Sequence, residues 1–238
     1  HFLLGFALLH EQKPADSLAE YTQGAKFRAP GPEELLGVSL DYIQLKALPD
    51  AEKWLLAAAK SAPDRPLTWY LLGRTQYEQG HGGDAERSLL TCLRLDPQHL
   101  RARYNLGLVY ELLKRPDEAA TAYRAAIAMQ ESATVKDPEP YLDMGMMLLK
   151  EDKASEALPL LKIAAGGSSR DSVVYRELGL AYEKLGRYDE AVGALKTAIS
   201  LTPKIEALHF FLGRVYREAG HRDDAAREFA EAAKLSGE

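Results

Sequence analysis

One segment recurs along this chain at a nearly constant spacing, and that recurrence limits the possible folds more than any other feature. Residues 185–203 read LGRYDEAVGALKTAISLTP, and close variants begin at Leu113 and Ala219. Each copy has a turn, an acidic start and apolar residues at helical spacing, which together predict the second helix of a helical hairpin. The chain is therefore best explained as tandem copies of one small element.

Glycines mark the period of the repeat. Six glycines each follow Leu or Met, and most are separated by multiples of 34 residues, with one step of 38. They are Gly5, Gly73, Gly107, Gly145, Gly179 and Gly213, and Ser39 stands where another would fall. Small residues let two helices approach closely, and large residues between them fill the gap. The helical spacing of the apolar positions therefore predicts an all-α fold built from helical hairpins.

This pattern resembles the tetratricopeptide repeat family, whose Trp-x-x-Leu-Gly signature stands at Trp69, Leu72 and Gly73. The resemblance covers essentially the whole chain and implies a right-handed superhelical solenoid of tandem helix-turn-helix hairpins. We predict one solenoid of about seven repeats: 1–31 (partial), 32–65, 66–99, 100–133, 138–171, 172–205 and 206–238. Residues 134–137 would be a four-residue insertion that lengthens a helix or a loop.

The residues that usually carry chemistry are scattered along the chain. The formal net charge of −5 argues against a protein held to nucleic acid by phosphate contacts. The single cysteine, Cys92, falls at a small packing position, and no Cys-His cluster or phosphate loop is present. The acidic pairs Asp189–Glu190 and Asp223–Asp224 are expected to cap helices and compensate the helix dipole. We therefore predict a non-enzymatic protein with no catalytic residue, no cofactor and no metal site.

The first ten residues, HFLLGFALLH, are strongly apolar but too short to span a bilayer. They also lack the basic leader and cleavage site of a signal peptide, so we predict no membrane span in this sequence. The resemblance is to repeat proteins common in bacteria, and it favours an exported bacterial protein.

In the family, the first helix of each repeat lines a concave surface at positions 2, 5, 9, 12 and 13. The resemblance implies a groove that binds a protein or peptide and changes from apolar to aromatic to charged along the chain. The groove candidates are Phe2, Phe6, Leu9, Leu36, Leu40, Ile43, Tyr70, Arg74, Tyr77, Arg101, Tyr104, Arg214 and Arg217, and Glu183, Lys184 and Phe210 fall at the same positions. Tyr and Arg are favoured at binding hot spots. Alternatively, these side chains pack against the neighbouring second helix.

The terminal helices carry apolar residues that no polar cap covers, although repeat arrays need such caps. The candidates for an end-to-end contact are Phe2, Leu3, Ala226, Phe229 and Ala233. The chain could be part of a longer array, its copies could stack end to end, or the first groove could hold a partner helix. We predict an interaction scaffold, with a structural subunit that assembles with other copies of itself as the alternative.

Overall fold

The computed structural model describes residues 1–167 and 170–237, and regular structure in these ranges consists of fourteen helices without a strand. The helices are α1 (Phe2–His10), α2 (Pro14–Ala25), α3 (Pro32–Gln44), α4 (Leu48–Ser61), α5 (Pro66–Glu78), α6 (Gly82–Leu95), α7 (Leu100–Leu112), α8 (Pro116–Ala128), α9 (Glu139–Lys150), α10 (Ala154–Gly167), α11 (Ser172–Lys184), α12 (Tyr188–Leu201), α13 (Glu206–Glu218) and α14 (Arg222–Ser236). The predicted repeats 138–171 and 206–238 include residues 168, 169 and 238, which lie outside the described residues.

Consecutive helices pair as hairpins because glycine removes the side chain where they cross. A Cβ atom added to Gly179 of α11 would lie 2.6 Å from Cγ of Leu195 in α12, and one added to Gly145 of α9 would lie 2.7 Å from Cδ2 of Leu161 in α10. Leu161 and Leu195 are fully buried. The periodic glycines are therefore packing positions, and the all-α prediction is confirmed.

The turn inside each hairpin contains one residue with a left-handed backbone. These residues have φ between 57° and 84° and are Gln12, Lys46, Gly80, Lys114, Asp152, Gly186 and Gly220. At Gly186, the backbone N–H groups of Gly186 and Arg187 donate to the carbonyls of Glu183 and Tyr182. This pair of hydrogen bonds caps the C-terminus of α11 and reverses the chain.

The same type of hydrogen bond, from a side chain to a proline carbonyl, recurs at several of the links between hairpins. The Trp69 indole N–H donates to the Pro63 carbonyl at 2.8 Å, and Arg103 donates to the Pro97 carbonyl at 3.0 Å. His209 contacts the Pro203 carbonyl at 3.2 Å. The side chain at the Trp position of these repeats thus holds the proline that follows the preceding helix.

The chain divides into two compact units, an N-terminal unit (1–126) and a C-terminal unit (127–238), and α8 contributes to both. The N-terminal unit has a core cluster in which Leu106 and Val109 of α7 pack with Leu89 and Cys92 of α6. The C-terminal unit has separate clusters around Tyr141 and Leu212. The division into seven repeats stays a prediction.

The four-residue insertion lies in the loop 129–138 between α8 and α9 rather than in a helix. The loop is held by the buried Gln130, whose side-chain oxygen accepts the backbone N–H of Asp137 at 2.5 Å. Lys136 lies over the ring of Tyr141, with its Nζ 5.7 Å from the ring centroid.

The acidic pairs do not cap their helices. They lie in the first turns of α12 and α14, where the helix dipole favours negative charge. The N-cap residues are Arg187 and His221, and neither forms a side-chain cap hydrogen bond. The predicted capping role was therefore wrong, because each acidic pair begins inside its helix.

Candidate functional site

An open groove of about 520 Å³ lies within the C-terminal unit and is lined by α9, α11 and α13, the first helices of three hairpins. We call it the α9–α11–α13 groove. Its lining residues are Met146, Leu149 and Lys150 of α9, Glu177, Leu180, Glu183 and Lys184 of α11, and Phe211 and Arg214 of α13. Its volume falls within the usual range of ligand-binding clefts.

The lining follows the repeat. Met146, Leu180 and Arg214 are separated by 34 residues each, so they occupy one position on three successive helices. Lys150 and Lys184 share a second position in the same way. The groove is therefore a ladder of equivalent side chains, which explains how one helical pattern can build an extended surface.

The apolar part of the groove combines buried and accessible side chains. Leu149 is buried, whereas Met146, Leu180 and Phe211 are half-buried and line the open space. Half-buried Met, Leu and Phe side chains keep apolar area that a bound segment can cover. Met is also adaptable in shape, which suits a surface that accommodates a partner side chain.

A paired charge joins α11 to α13 at this groove. The Arg214 guanidinium donates to both carboxylate oxygens of Glu183, at 2.7 and 2.5 Å. These hydrogen bonds raise the pKa of Arg214 further above its usual value, so it remains cationic. Because the pair is bidentate, it fixes the guanidinium plane, which lies over Phe211 with 5.3 Å from Cζ to the ring centroid.

The two lysines of the groove differ in their contacts. Lys184 donates to Asp152 at 2.6 Å, and this hydrogen bond holds the pKa of the Asp152 carboxyl below its usual range. Lys150 is exposed in the last turn of α9 and forms no ion pair with any residue in the described part of the chain. Both ammonium groups reach solvent at the rim.

The sequence identified part of this groove. Of the predicted residues, Arg214, Glu183 and Lys184 line it, and Arg217 lies exposed farther along α13. The groove also contains six residues that were not among the predicted ones: Met146, Leu149, Lys150, Glu177, Leu180 and Phe211. The signal for four of them was available, because Met146, Leu149, Lys150 and Leu180 stand at the family's groove positions 9, 12 and 13 in the repeats 138–171 and 172–205.

Several groove candidates in the N-terminal unit contribute to its core. Leu9, Leu36 and Tyr70 are buried and therefore offer little surface to a partner. The half-buried candidates that pack against the same core cluster as Leu36 and Tyr70 are Leu40, Ile43 and Tyr77. All six of these side chains contribute to packing, and whether any of them also contacts a partner stays a prediction.

The remaining candidates of the N-terminal unit are more accessible. Arg74 pairs with Glu78 one turn along α5, at 3.0 Å. Arg101 is exposed on α7, and the ring of half-buried Tyr104 lies 5.9 Å from that of Tyr123. Whether these residues contact a partner stays a prediction.

Phe2 and Phe6 line a smaller cavity of about 160 Å³ in the N-terminal unit. The other lining residues are Leu3, Tyr21, Arg28, Glu33 and Glu34. The Phe2 ring also fills the space at Gly24, where an added Cβ atom would lie 2.8 Å from it. Phe2 is therefore a packing residue of its own hairpin as well as a cavity residue.

The candidates for an end-to-end contact are unevenly exposed. Leu3 is 89% exposed, and Ala226 and Ala233 are exposed on α14. Phe229 is half-buried because its ring packs at Gly213, where an added Cβ atom would lie 2.8 Å away. Leu3, Ala226 and Ala233 are thus the accessible members of this set.

The described residues contain no cluster of three or more His, Cys, Asp or Glu side chains placed to hold a metal ion. Cys92 is fully buried, and burial raises the pKa of its thiol to about 11. Such a thiol is a packing group rather than a nucleophile. Within the described ranges, every helix is too short or too polar to cross a bilayer.

Three family models, each described as a tetratricopeptide repeat, match residues 70–134, 172–205 and 207–231, together about half of the chain. A search of curated proteins found no match.

Solved structures resemble this fold at low sequence identity. MamA from Desulfovibrio magneticus RS-1 is 21% identical, with a TM-score of 0.65 over 72% of this chain and 94% of that chain. YrrB, described as a TPR protein with an unusual peptide-binding site, is 18% identical, with a TM-score of 0.68 over 77% and 93%. A chain of the APC/C hetero-tetramer Cut9–Hcn1 is 17% identical, with a TM-score of 0.73. The match covers 99% of this chain and 46% of that chain. These similarities show the fold alone and confirm the predicted solenoid class.

Proposed function

Because the chain belongs to the tetratricopeptide repeat family, we propose that it is a protein-interaction scaffold whose α9–α11–α13 groove holds a segment of a partner protein. The observation that carries this proposal is the apolar floor of Met146, Leu180 and Phe211 between charged side chains in an open groove of about 520 Å³. The peptide-binding site described for YrrB supports it by analogy.

The groove offers both parts of a recognition site. Half-buried Leu180 and Phe211 can bury an apolar side chain of a partner, which contributes about 1.5–3 kcal/mol when burial is complete. The bidentate Glu183–Arg214 pair is already ordered, so binding does not have to pay the conformational entropy of arranging it. An ordered ion pair beside adaptable apolar side chains suits an extended or helical segment of a partner.

The test selects peptides that bind the whole chain from a random display library and measures their affinity for two variants. Leu180→Arg places a charge on the floor of the groove and should weaken binding about tenfold or more, because it removes the apolar contact. Ser200→Arg adds the same side chain at an exposed site of α12 outside the groove and should change the affinity little.

Helix content measured by circular dichroism confirms that both variants remain folded. If no peptide is selected, or if both variants weaken binding equally, the groove is not the binding site and this function is wrong.

End-to-end assembly is the second candidate, and the exposure of α1 favours it. Leu4, which precedes the packing Gly5, is 50% exposed. The residues at the equivalent position of the other six repeats are only 1–8% exposed: Val38, Leu72, Leu106, Met144, Leu178 and Leu212. On α14, Ala226 and Ala233 are also exposed.

A further inference from the structure

We propose that the segment bound in the α9–α11–α13 groove is acidic as well as apolar, with carboxylates of the partner reaching Lys150 and Lys184. This inference rests on the proposed function and names the chemistry of the occupant. It follows from which charges in the groove are already paired and which remain accessible.

The acidic groups of the groove are occupied by arginines of the same chain. Glu183 accepts both hydrogen bonds of Arg214, at 2.7 and 2.5 Å. Glu177 is buried and accepts two hydrogen bonds from Arg176, at 2.8 and 2.5 Å. Neither carboxylate is therefore available to attract a basic residue of a partner, and Arg214 is neutralised as well.

The charge left at the rim is positive. Lys150 forms no ion pair within the described residues, and its ammonium group is exposed. Lys184 contacts Asp152, but that carboxylate is 83% exposed, and ion pairs of this kind contribute little to stability. A carboxylate of a bound segment can replace Asp152 at small cost.

At position 13 of the repeat, lysine stands on two helices that line the groove, as Lys150 on α9 and Lys184 on α11. The residues in the same place on the other first helices are His10, Gln44, Glu78, Leu112 and Glu218. An ammonium group therefore stands at this position on α9 and α11, two of the three helices that line the groove, whereas the third, α13, carries Glu218 there. Since the chain carries a net charge of −5, this positive rim is a local feature and not a consequence of composition.

The occupant that fits these charges has large apolar side chains on the floor formed by Met146, Leu180 and Phe211, with Asp or Glu beside them. A basic segment meets two lysines and no accessible acid among the lining residues, so like-charge repulsion excludes it. The rim thus sets specificity, and the floor supplies most of the affinity.

The test uses three synthetic peptide pools of one length and the whole chain. The first pool carries Leu or Phe at alternate positions among glutamates, the second has lysines in place of the glutamates, and the third has alanines in place of Leu and Phe. We expect the acidic apolar pool to bind about fivefold more tightly than either other pool, with the preference over the basic pool shrinking at high salt.

Charge-reversing variants test whether Lys150 and Lys184 cause the preference for the acidic pool. Lys150→Glu and Lys184→Glu should each weaken binding of the acidic apolar pool about fivefold and improve binding of the basic pool. Lys204→Glu makes the same change at an exposed site in the loop before α13 and should leave both affinities unchanged.

The outcomes separate this inference from the function on which it rests. If the basic pool binds as tightly as the acidic pool while Leu180→Arg still abolishes binding, the groove binds peptides and only the acidic preference is overturned. If no pool binds, or if Leu180→Arg has no effect, both proposals fail.

Discussion

At the scale of single residues, two glycines of neighbouring helices have opposite relations to their surroundings. Gly179 on α11 faces the fully buried Leu195, whose Cγ would lie 2.6 Å from an added Cβ atom. Gly193 on α12 has no atom within 4 Å of the corresponding point. One glycine is required for close packing, whereas the other only weakens its helix.

This contrast predicts opposite effects for the same substitution. Gly193→Ala should raise the free energy of unfolding by about 0.5–1 kcal/mol, because Ala has the higher helix propensity. Gly179→Ala should lower it by about 1–3 kcal/mol, because Leu195 has no space to move. Urea denaturation of both variants beside the wild type measures these changes, and a stabilising Gly179→Ala would contradict the packing argument.

A buried carboxyl at Asp41 is unusual among the residues of α3. Asp41 is fully buried, and desolvation raises the pKa of its carboxyl to about 6 despite the hydrogen bond with Ser17. Oγ of Ser17 lies 2.6 Å from Asp41 Oδ2 and 2.8 Å from the Gly5 carbonyl, yet one hydroxyl has one proton to donate. A protonated Asp41 satisfies both contacts, since it donates to Ser17 and Ser17 donates to Gly5.

Stability should therefore depend on the protonation of Asp41. The unfolded carboxyl titrates near 3.8 and the folded one near 6, so the folded chain binds the extra proton between these values. The stabilisation is complete below pH 3.8 and is lost as the pH rises towards 6, with a total of ~3 kcal/mol at most. Above pH 6, a buried charge remains.

Asp41→Asn tests this dependence because it removes the charge and keeps the shape. We expect the variant to be more stable than the wild type by ~1–3 kcal/mol at pH 7.5 and to lose that advantage towards pH 4. Urea denaturation across this pH range measures the difference. Asp64→Asn, at an exposed loop position, is the control. A difference that does not vary with pH would show that folding does not raise the pKa of Asp41.

At the scale of elements, the hairpin turns share one backbone geometry but not one residue type. Lys46 has φ of 59° and Gly186 has φ of 69°. At both turns the backbone N–H of this residue and that of the residue after it donate to carbonyls of the preceding helix in the same pattern. A left-handed backbone costs a residue with a side chain about 1–2 kcal/mol, which glycine avoids.

Exchanging the residue types at these turns should move stability in opposite directions. Lys46→Gly should raise the free energy of unfolding by about 0.5–1 kcal/mol, which is the relief of strain less the added flexibility of the unfolded chain. Gly186→Ala should lower it by about 1 kcal/mol. Thermal and urea denaturation measure both changes, and equal signs for the two variants would show that the side chains, rather than φ, determine turn stability.

At the scale of the whole molecule, the exposed apolar residues of α1 and α14 bear on assembly. In the core of the N-terminal unit, Leu106 and Val109 of α7 pack against Leu89 and Cys92 of the preceding helix. On α1 the residues in the same places, Leu4 and Ala7, are exposed. An α14 helix of a second copy could cover this face as α6 covers α7, which is the basis of the second candidate function.

Assembly of this kind predicts that the molar mass rises with concentration above the 26.3 kDa of one chain, without a ceiling. Leu3→Glu should hold the mass at one chain, because Leu3 is exposed and its replacement spares the packing of Phe2 at Gly24. Light scattering across a concentration series measures this. A constant mass of one chain for the wild type would exclude assembly and leave the groove as the functional surface.

The amino-acid pattern alone was enough to predict the helices, their pairing into hairpins and the role of the periodic glycines. These features depend on contacts that recur at a constant spacing, so one period along the chain specifies them all. It also placed Arg214, Glu183 and Lys184 on the groove, because groove positions follow the same period.

Which of the equivalent positions form a site depends on how the helices pack in three dimensions. Leu36 and Tyr70 stand at groove positions of the repeat, yet they are buried, whereas Leu180 at such a position stays accessible on the floor of a groove. The pairing of Glu183 with Arg214 likewise depends on the distance between α11 and α13. The period assigns each residue a position, but the sizes and charges of side chains on neighbouring helices decide how much of it remains exposed.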